Sequence, residues 1–262
     1  MDGGSTAVLL RTETDGIATL TLNRPEARNA LSLGLMAALT DAIAGIAETP
    51  SVKVVIIAAN GPGFCAGHDL RELRADPSEP FYRATFEACA RLMTAIIRLP
   101  KPVIAQVHGI ATAAGCQLAA SCDLVVAAQS ARFATPGVNI GLFCSTPMVA
   151  LSRAVPRKQA MEMLLTGEMI SSERAREIGL VNRVVPDASL AAATTELATA
   201  IAAKSPLTLA IGKEAFYRQA EMALDDAYAY TAEVMTRNML ARDAAEGIDA
   251  FLQKRHPVWT GA

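Results

Sequence analysis

The sequence carries almost no net charge: 24 Lys and Arg stand against 26 Asp and Glu, which leaves −2. This balance gives no field that would gather a phosphate backbone or anionic lipid, so we expect neither nucleic acid nor a membrane surface as a partner. The sequence also lacks an uninterrupted apolar run of about 18 residues and a basic segment followed by an apolar one at its start. We therefore predict a cytoplasmic protein without membrane insertion.

Cysteine pairs and cofactor motifs are missing too. The five Cys are odd in number, form no CxxC pair and lie in apolar stretches, which predicts buried thiols in a reducing compartment. The three His are too scattered for a metal motif, and there is neither a GxGxxG after a strand nor a P-loop lysine. No metal and no redox cofactor is expected. The cysteines are Cys65, Cys89, Cys116, Cys122 and Cys144.

With 262 residues, 52% of them apolar, the chain can bury one large core or a core plus a small helical appendage. Residues 8–12 and 17–23 are β-branched runs around Thr14-Asp15-Gly16, which predicts a hairpin. Ser32 is placed to cap a helix whose apolar residues recur every three or four positions.

Strand, loop and helix then alternate. Residues 53–59 and 103–107 are short apolar runs typical of strands buried on both faces, residues 113–121 continue as helix, and a third strand begins at residue 124. This order predicts an α/β fold with loops after each strand. From about residue 145 the pattern becomes helical apart from Val184-Val185, and the excess of apolar positions favours self-association.

Two loops, residues 61–70 and 107–117, each follow a buried strand and open a helix. Each therefore offers unpaired backbone N–H groups at the positive end of a helix dipole. Small residues at Ala66, Gly67, Ala113, Ala114 and Gly115 would let a carbonyl group approach the backbone closely enough to be bound as an oxyanion. Tight turns in an α/β core have the same composition, so a purely structural role stays open.

Residues 23–32, 64–70, 101–105 and 111–116, together with residues 167–185, resemble in this order the successive signatures of the enoyl-CoA hydratase/isomerase (crotonase) family. The resemblance runs from about residue 8 to about residue 256. It implies a crotonase-like spiral of repeated ββα units over residues 1–200, with a C-terminal helical layer at residues 201–262 that mediates trimerisation. It also implies a homotrimer or hexamer and a CoA thioester as substrate.

The resemblance implies functional residues at matching positions. The backbone N–H groups of His68 and Ala114 would form the oxyanion hole, and the last helix, near Phe251 and Lys254, would reach the nucleotide end of CoA. The residues implied in the CoA-binding cleft are Glu26, Ala27, Arg28, Ala66, Gly67, His68, Asp69, Leu70, Arg71, Gly115 and Lys254.

The sequence departs from the family at the two positions where a typical hydratase has Glu. Gln117 and Gly137 stand there, and neither an amide nor a hydrogen atom can activate water or protonate the α-carbon. The pattern is closest to the hydratase-like subgroup that lacks both carboxylates. We expect His68, Ala114, Gln117 and Gly137 at the reaction centre. The resemblance implies an activity like that of enoyl-CoA hydratase. The alternatives are an acyl-CoA decarboxylase or isomerase using His68, a non-catalytic acyl-CoA-binding regulator and a purely structural oligomer.

Several of these side chains have two interpretations. The imidazole of His68 can exchange protons near neutral pH, or His68 contributes only its N–H. Asp69 is a second acid or, more simply, a helix cap. Cys144 is a nucleophile or a packing residue, and Gln117 orients a water or packs on its neighbours. His108 is expected to be structural, and His256 to lie on a solvated face.

The segment from Arg74 to Phe86 contains Pro77 and Pro80. We expect it to be mobile and to set the size of the acyl pocket.

Overall fold

The structure is a computed structural model, and it describes residues 7–262. The chain opens with the predicted hairpin, formed by antiparallel strands β1 (Leu9–Thr14) and β2 (Ile17–Leu22). Asp15 and Gly16 make the turn with φ of 51° and 77°, the left-handed region that glycine adopts without strain. The first helix, α1 (Leu33–Ala47), begins where Ser32 Oγ accepts a hydrogen bond from Leu35 N at 3.1 Å, as predicted.

The central part of the chain alternates strands and helices. These elements are β3 (Val54–Ala59), α2 (Leu70–Ala75), α3 (Glu79–Arg98), β4 (Val103–Val107), β5 (Ile110–Thr112), α4 (Ala114–Ser121), β6 (Leu124–Ala128) and β7 (Arg132–Ala134). Then follow α5 (Pro147–Ala154), α6 (Arg157–Thr166), β8 (Ile170–Ser171), α7 (Ser172–Glu177), β9 (Arg183–Val185), α8 (Leu190–Ala202), α9 (Pro206–Gln219), α10 (Leu224–Met239) and α11 (Arg242–Leu252).

The strands form two sheets. The larger has the order β1-β2-β3-β4-β6-β9 and is parallel from β2 onward, whereas the smaller has the order β5-β7-β8. The chain visits both sheets in turn, because β4 is followed by β5 and then α4, and β6 is followed by β7 and then α5. This repetition is the predicted spiral of ββα units, and the side chains between the layers are almost fully buried.

The segment between Arg74 and Phe86, expected to be mobile, is mostly helical. It contains the last turn of α2 and the start of α3, where Ser78 Oγ accepts a hydrogen bond from Phe81 N at 3.4 Å. Pro80 lies in the first turn of α3, where a backbone N–H would have no acceptor within the helix, so proline is tolerated there.

The C-terminal helices are joined to the strand core by a buried ion pair. Lys213 of α9 donates hydrogen bonds to Asp123 Oδ2 at 2.7 Å and to the carbonyl oxygens of Ile96 and Lys101, each at 3.0 Å. Tyr217, one turn later, donates to Asp123 Oδ1 at 2.9 Å. All three donors of the ammonium group are therefore used, which compensates for removing it from water.

The outer face of the last two helices exposes large apolar side chains, in agreement with the excess of apolar positions in the sequence. No helix within residues 7–262 is long and apolar enough to cross a membrane. The exposed side chains include Leu224, Tyr228, Met235, Met239, Leu240, Phe251 and Leu252.

Candidate active site

The two small-residue loops meet edge to edge. Cys65 N donates to Ile110 O at 3.0 Å and Thr112 N donates to Cys65 O at 3.0 Å, so Cys65 pairs with Ala111 as a short parallel bridge. Thr112 Oγ1 adds a hydrogen bond to Ala66 O at 3.1 Å. These bonds hold the residues that precede α2 beside the residues that precede α4.

Glycine is required where these two backbones touch. Gly67 has φ of 104°, and a Cβ added there would lie 2.9 Å from Ala113 Cβ and 3.5 Å from Ala114 N. A Cβ at Gly115 would lie 2.0 Å from Cys65 O, a distance that no side chain can occupy. Small residues are needed here because the two loops are in direct contact with each other.

The backbone N–H groups of His68 and Ala114 take no part in the hydrogen bonds between these loops. Gly67 O accepts from Leu31 N at 2.7 Å and Asp69 N donates to Leu31 O at 3.2 Å, and His68 lies between them. Ala113 N donates to Ala134 O at 2.9 Å. Within residues 7–262, no protein atom accepts a hydrogen bond from His68 N or Ala114 N. Both groups are therefore available to a ligand oxygen.

Ala113 sets the direction of the second N–H group at a conformational cost. Its φ of 50° and ψ of −118° are unusual for a residue with a side chain, and it forms the cap position immediately before α4. Its own N–H is used in the bond to Ala134 O, and Gln117 N donates to its carbonyl oxygen at 3.0 Å. The residue is thus fixed from both sides.

The imidazole of His68 is largely buried. Its ring meets the ring of Phe86, on α3, edge to face with centroids 5.4 Å apart, and no partner in the described chain reaches Nε2. Burial lowers the pKa of His68 to about 4. The ring is therefore neutral at pH 7, which disfavours a role as a cationic acid but leaves it able to donate or accept a hydrogen bond.

Asp69 has the predicted role of a helix cap. Its Oδ1 accepts from Arg71 N at 3.1 Å, and its Oδ2 pairs with Arg24 Nη2 at 3.0 Å. Burial acts to raise the pKa of Asp69, but the hydrogen bonds from Arg24 and from the N–H groups of Arg71 and Glu72 lower it overall. The carboxylate is therefore held ionised at the start of α2 and is engaged on both oxygens.

Gln117 and Gly137 each lie close to a cysteine side chain. Gln117 is buried, and its Oε1 accepts a long hydrogen bond of 3.7 Å from Cys89 Sγ on α3. A Cβ at Gly137 would lie 2.6 Å from Leu142 O and 2.9 Å from Cys144 Sγ. The space into which an acidic side chain would project at this position is therefore filled by the loop that carries Cys144.

The cysteines are all unpaired and buried, as the sequence predicts. Burial raises the pKa of the Cys144 thiol, although a hydrogen bond from the Gly137 backbone opposes this. A protonated thiol is a poor nucleophile, so the packing interpretation of Cys144 is favoured.

The structure also places the residues that the resemblance implied for CoA. Glu26 and Ala27 lie in a 3₁₀ turn that ends at Arg28, whose carbonyl oxygen accepts from Ala66 N at 3.1 Å. The start of α2 presents Leu70, which is half exposed. Lys254 follows α11, and no hydrogen bond or ion pair of the described chain connects it to these loops.

Two other histidines behave as expected. His108 Nε2 lies 2.8 Å from Gly61 O and so joins the loop after β4 to the loop after β3, and His256 is exposed. One residue was missed in the sequence: Thr135 is buried, and its hydroxyl has no partner within the described residues. A polar residue just before a Pro-Gly pair, in an otherwise apolar segment, was the available signal.

A family profile described as enoyl-CoA hydratase/isomerase matches residues 12–262. The chain therefore belongs to the enoyl-CoA hydratase/isomerase (crotonase) family. Among solved structures, enoyl-CoA hydratase of Mycobacterium smegmatis superposes with a TM-score of 0.95 at 53% identity, covering 97% of this chain and 99% of that one. Human enoyl Coenzyme A hydratase domain-containing protein 3 superposes with a TM-score of 0.94 at 48% identity, covering 97% and 100%.

Curated relatives extend this similarity. The chain is 52% identical to the mitochondrial enoyl-CoA hydratase domain-containing protein 3 of Xenopus laevis, over 94% of this chain and 83% of the relative. It is 37% identical to the 2,3-dehydroadipyl-CoA hydratase of Escherichia coli, over 94% and 95%. These relatives support an enzyme of the lyase or isomerase type.

The predicted cytoplasmic location is wrong by this comparison. The domain-containing protein 3 relatives of Xenopus laevis, Rattus norvegicus and Homo sapiens are all named as mitochondrial. The prediction depended on the lack of a basic segment followed by an apolar one, together with free buried thiols. Buried thiols indicate a reducing environment but do not distinguish one such compartment from another.

Proposed function

We propose that this chain binds an acyl-CoA thioester and stabilises its enolate with the N–H groups of His68 and Ala114. The observation that carries this proposal is that both N–H groups lack a protein acceptor at the point where the two loops touch. A donor of this kind is worth about 3 kcal/mol to a developing oxyanion, because it is already oriented before the charge forms. The CoA moiety would lie along residues 26–28 and 66–71, with Lys254 at its nucleotide end.

The reaction is enolate chemistry without the two-carboxylate hydration step. Gln117 and Gly137 supply neither acid nor base, and the loop at Leu142 closes the place where the second carboxylate would stand. Loss of carbon dioxide from an acyl-CoA that carries a carboxylate leaves the enolate directly, so it needs the oxyanion site but no base. A proton shift within an acyl-CoA would also need the imidazole of His68 to take up the proton and return it. A non-catalytic acyl-CoA binder is the second candidate, favoured by the same two replacements.

The oxyanion site can be tested without turnover. Acetoacetyl-CoA forms an enolate that absorbs in the ultraviolet, so its pKa can be titrated free and bound. Binding should lower the pKa of this ligand by at least about 2, the equivalent of about 3 kcal/mol. Ala114→Pro removes one N–H and also restricts Ala113 before it, whose ψ is −118°, so it should abolish most of the change.

The matched control is Arg242→Pro, which places proline at the first position of α11 instead. It should bind acetoacetyl-CoA as the wild type does. An unchanged ligand pKa in the wild-type protein, or an undiminished change in Ala114→Pro, would overturn the proposed site.

Turnover is tested with crotonyl-CoA in water, following 3-hydroxybutyryl-CoA by mass. We expect little hydration by the wild type. Gln117→Glu should raise it, whereas Gly137→Glu should disturb folding because of its contact with Leu142 O. Hydration by the wild type at an ordinary enzymatic rate would show that other residues replace the two carboxylates.

We also propose self-association as a trimer or hexamer. The apolar side chains exposed on α10 and α11, among them Met239 and Phe251, support it because contact between copies would remove them from water. Light scattering in solution tests this, and a monomer at micromolar concentration would contradict it.

A further inference from the structure

A short backbone segment, residues 28–31, lies against the loop that carries His68. Leu31 N donates to Gly67 O at 2.7 Å and Leu31 O accepts from Asp69 N at 3.2 Å, so Leu31 pairs with His68 as a parallel bridge. In such a bridge the opposite residue makes neither bond, and its own N–H and C=O groups point away from the pair. Segment 28–31 therefore sets the direction in which the His68 N–H group points.

Segment 28–31 is an irregular turn rather than part of a helix. Arg28 and Asn29 have φ of 49° and 54°, two successive residues in the left-handed region. Most residues with a side chain adopt this region at a cost, and asparagine is among those that tolerate it best. A turn of this kind keeps one position only if bonds from other parts of the chain hold it.

The side chain of Asn29 provides such bonds from a fully buried position. Its Nδ2 donates to Asn60 O at 2.8 Å and to Gly63 O at 2.9 Å, and its Oδ1 accepts from Arg24 N at 2.8 Å. Three of the four hydrogen bonds open to an amide side chain are therefore made. A buried amide that is paired in this way fixes the backbone segments around it relative to one another.

The loop that leads to His68 is attached to segment 28–31 at two points before it reaches the bridge. At the first point the Asn29 amide binds Gly63 O, and at the second Ala66 N donates to Arg28 O at 3.1 Å. Loss of the amide would free the first point and leave two buried carbonyl oxygens without this donor. The loop could then shift, and a misplacement of about 1 Å is enough to weaken an aligned contact strongly.

We propose that Asn29 is a positioning residue for the thioester site: its amide fixes segment 28–31 and the start of the loop, and so aligns the His68 N–H group with the thioester oxygen. This inference rests on the proposed function. Asn29 is fully buried, so it acts through His68 rather than by touching the ligand. Alignment should matter most for the charged enolate, because a donor oriented in advance gives an oxyanion site its strength.

The test is the pKa of bound acetoacetyl-CoA in Asn29→Gly, which removes the amide but accepts the left-handed φ without strain. The wild type should lower this ligand pKa by at least about 2. Asn29→Gly should lower it by about 1 less, which corresponds to about tenfold weaker stabilisation of the enolate. Urea unfolding of the same samples shows how much stability each variant loses.

Asn29→Asp is the conservative variant. It has the same shape and keeps the acceptor for Arg24 N. Burial without a cation favours the protonated carboxyl group, which can still donate one of the two lost bonds. The lowering of the ligand pKa should therefore lie between those of the wild type and Asn29→Gly.

Asn182→Gly is the matched control. Asn182 Oδ1 also accepts from a backbone N–H group, that of Val125 at 2.7 Å, but it belongs to neither loop of the site. This variant should keep the wild-type ligand pKa, whatever it costs in urea unfolding.

The outcomes separate this inference from the proposed function. A loss of stability in Asn29→Gly with the wild-type ligand pKa would overturn the positioning role, because a merely structural residue gives that result. If Asn29→Gly does not fold, Asn29→Asp decides: a smaller lowering supports the role, and the wild-type lowering overturns it. If the wild-type protein itself leaves the ligand pKa unchanged, the proposed function fails, and this inference with it.

Discussion

The loop that leads to His68 and the loop that leads to Ala114 each present one free N–H group, but they achieve it with different residues. The first turns at Gly67, for which φ of 104° carries no side-chain strain. The second turns at Ala113, which adopts φ of 50° although it has a Cβ. The methyl group of Ala113 fills the space that Gly67 leaves open. The first loop supplies the conformational freedom of glycine, and the second supplies the methyl group that packs against it.

This difference shows that the two small residues are not interchangeable. Gly67 must lack a side chain because the neighbouring loop occupies that space, whereas the methyl group of Ala113 packs against Gly67 and holds both turns together. Strain at Ala113 is retained because hydrogen bonds on both sides hold the residue in place.

Gly115→Ala should break the contact between the loops most severely. The new Cβ would lie 2.0 Å from Cys65 O, so the bridge between Cys65 and Ala111 must open. We expect a loss of at least about 4 kcal/mol in the free energy of unfolding, measured in urea. Gly212→Ala, in α9 with no atom within 4 Å of the new Cβ, is the control and should be neutral or stabilising.

Gly67→Ala tests the first loop alone. The substitution combines an unfavourable φ with a contact of 2.9 Å to Ala113 Cβ, and we expect a loss of about 3 kcal/mol together with weaker acyl-CoA binding. Gly141→Ala has a similar φ of 79° but open space around the new Cβ. Urea unfolding of both variants separates the two costs, and equal losses would show that the contact between the loops contributes nothing.

Acidification should reveal the buried ring on the first loop. The pKa of His68 is lowered from 6.5 to about 4, so its stabilising contribution is complete above pH 6.5 and is lost as the pH falls toward 4, where the unfolded chain takes up the proton first. Between pH 7 and pH 5 the wild type should lose about 2 kcal/mol more than His68→Phe.

The measurement is urea unfolding at both pH values. His256→Gln removes an exposed histidine and should follow the wild type. A parallel decline in the wild type and His68→Phe would mean that the ring is hydrated rather than buried.

Ala113→Gly should have the smallest effect and the opposite sign. Relief of the unusual φ outweighs the greater freedom of glycine in the unfolded chain, so we expect a gain of about 1 kcal/mol in stability. Binding of acyl-CoA should weaken, because the methyl group no longer holds Gly67. Calorimetry and thermal unfolding on the same sample check both parts, and a loss of stability would refute the interpretation of Ala113 as strained.

Local signals predicted the large elements of the fold. The turn at Asp15-Gly16, the cap at Ser32 and the apolar run of β4 each determine their structure within a few residues, and all three are confirmed. Strands β5, β7 and β8 were missed because they are two or three residues long. Such strands exist only through pairing between distant segments, as Ile110 pairs with Arg132.

The site was predictable only in part, for the same reason. The cap at Asp69 and the need for small residues follow from local sequence. The closure of the space beside Gly137 depends on Leu142 and Cys144, and the orphan hydroxyl of Thr135 depends on burial by the whole fold. No local pattern encodes the closure, and the Thr135-Pro-Gly sequence marks a polar position without indicating that it is buried.

The buried ammonium of Lys213 has a practical use beyond joining α9 to the strands. Its side chain is only 7% exposed, so an amine-reactive label should modify the surface lysines long before it reaches this one. Once labelled, the nitrogen could no longer bind Asp123 and two carbonyl oxygens. The rate at which Lys213 is modified therefore reports how often the C-terminal helices separate from the core, without any substitution in the chain.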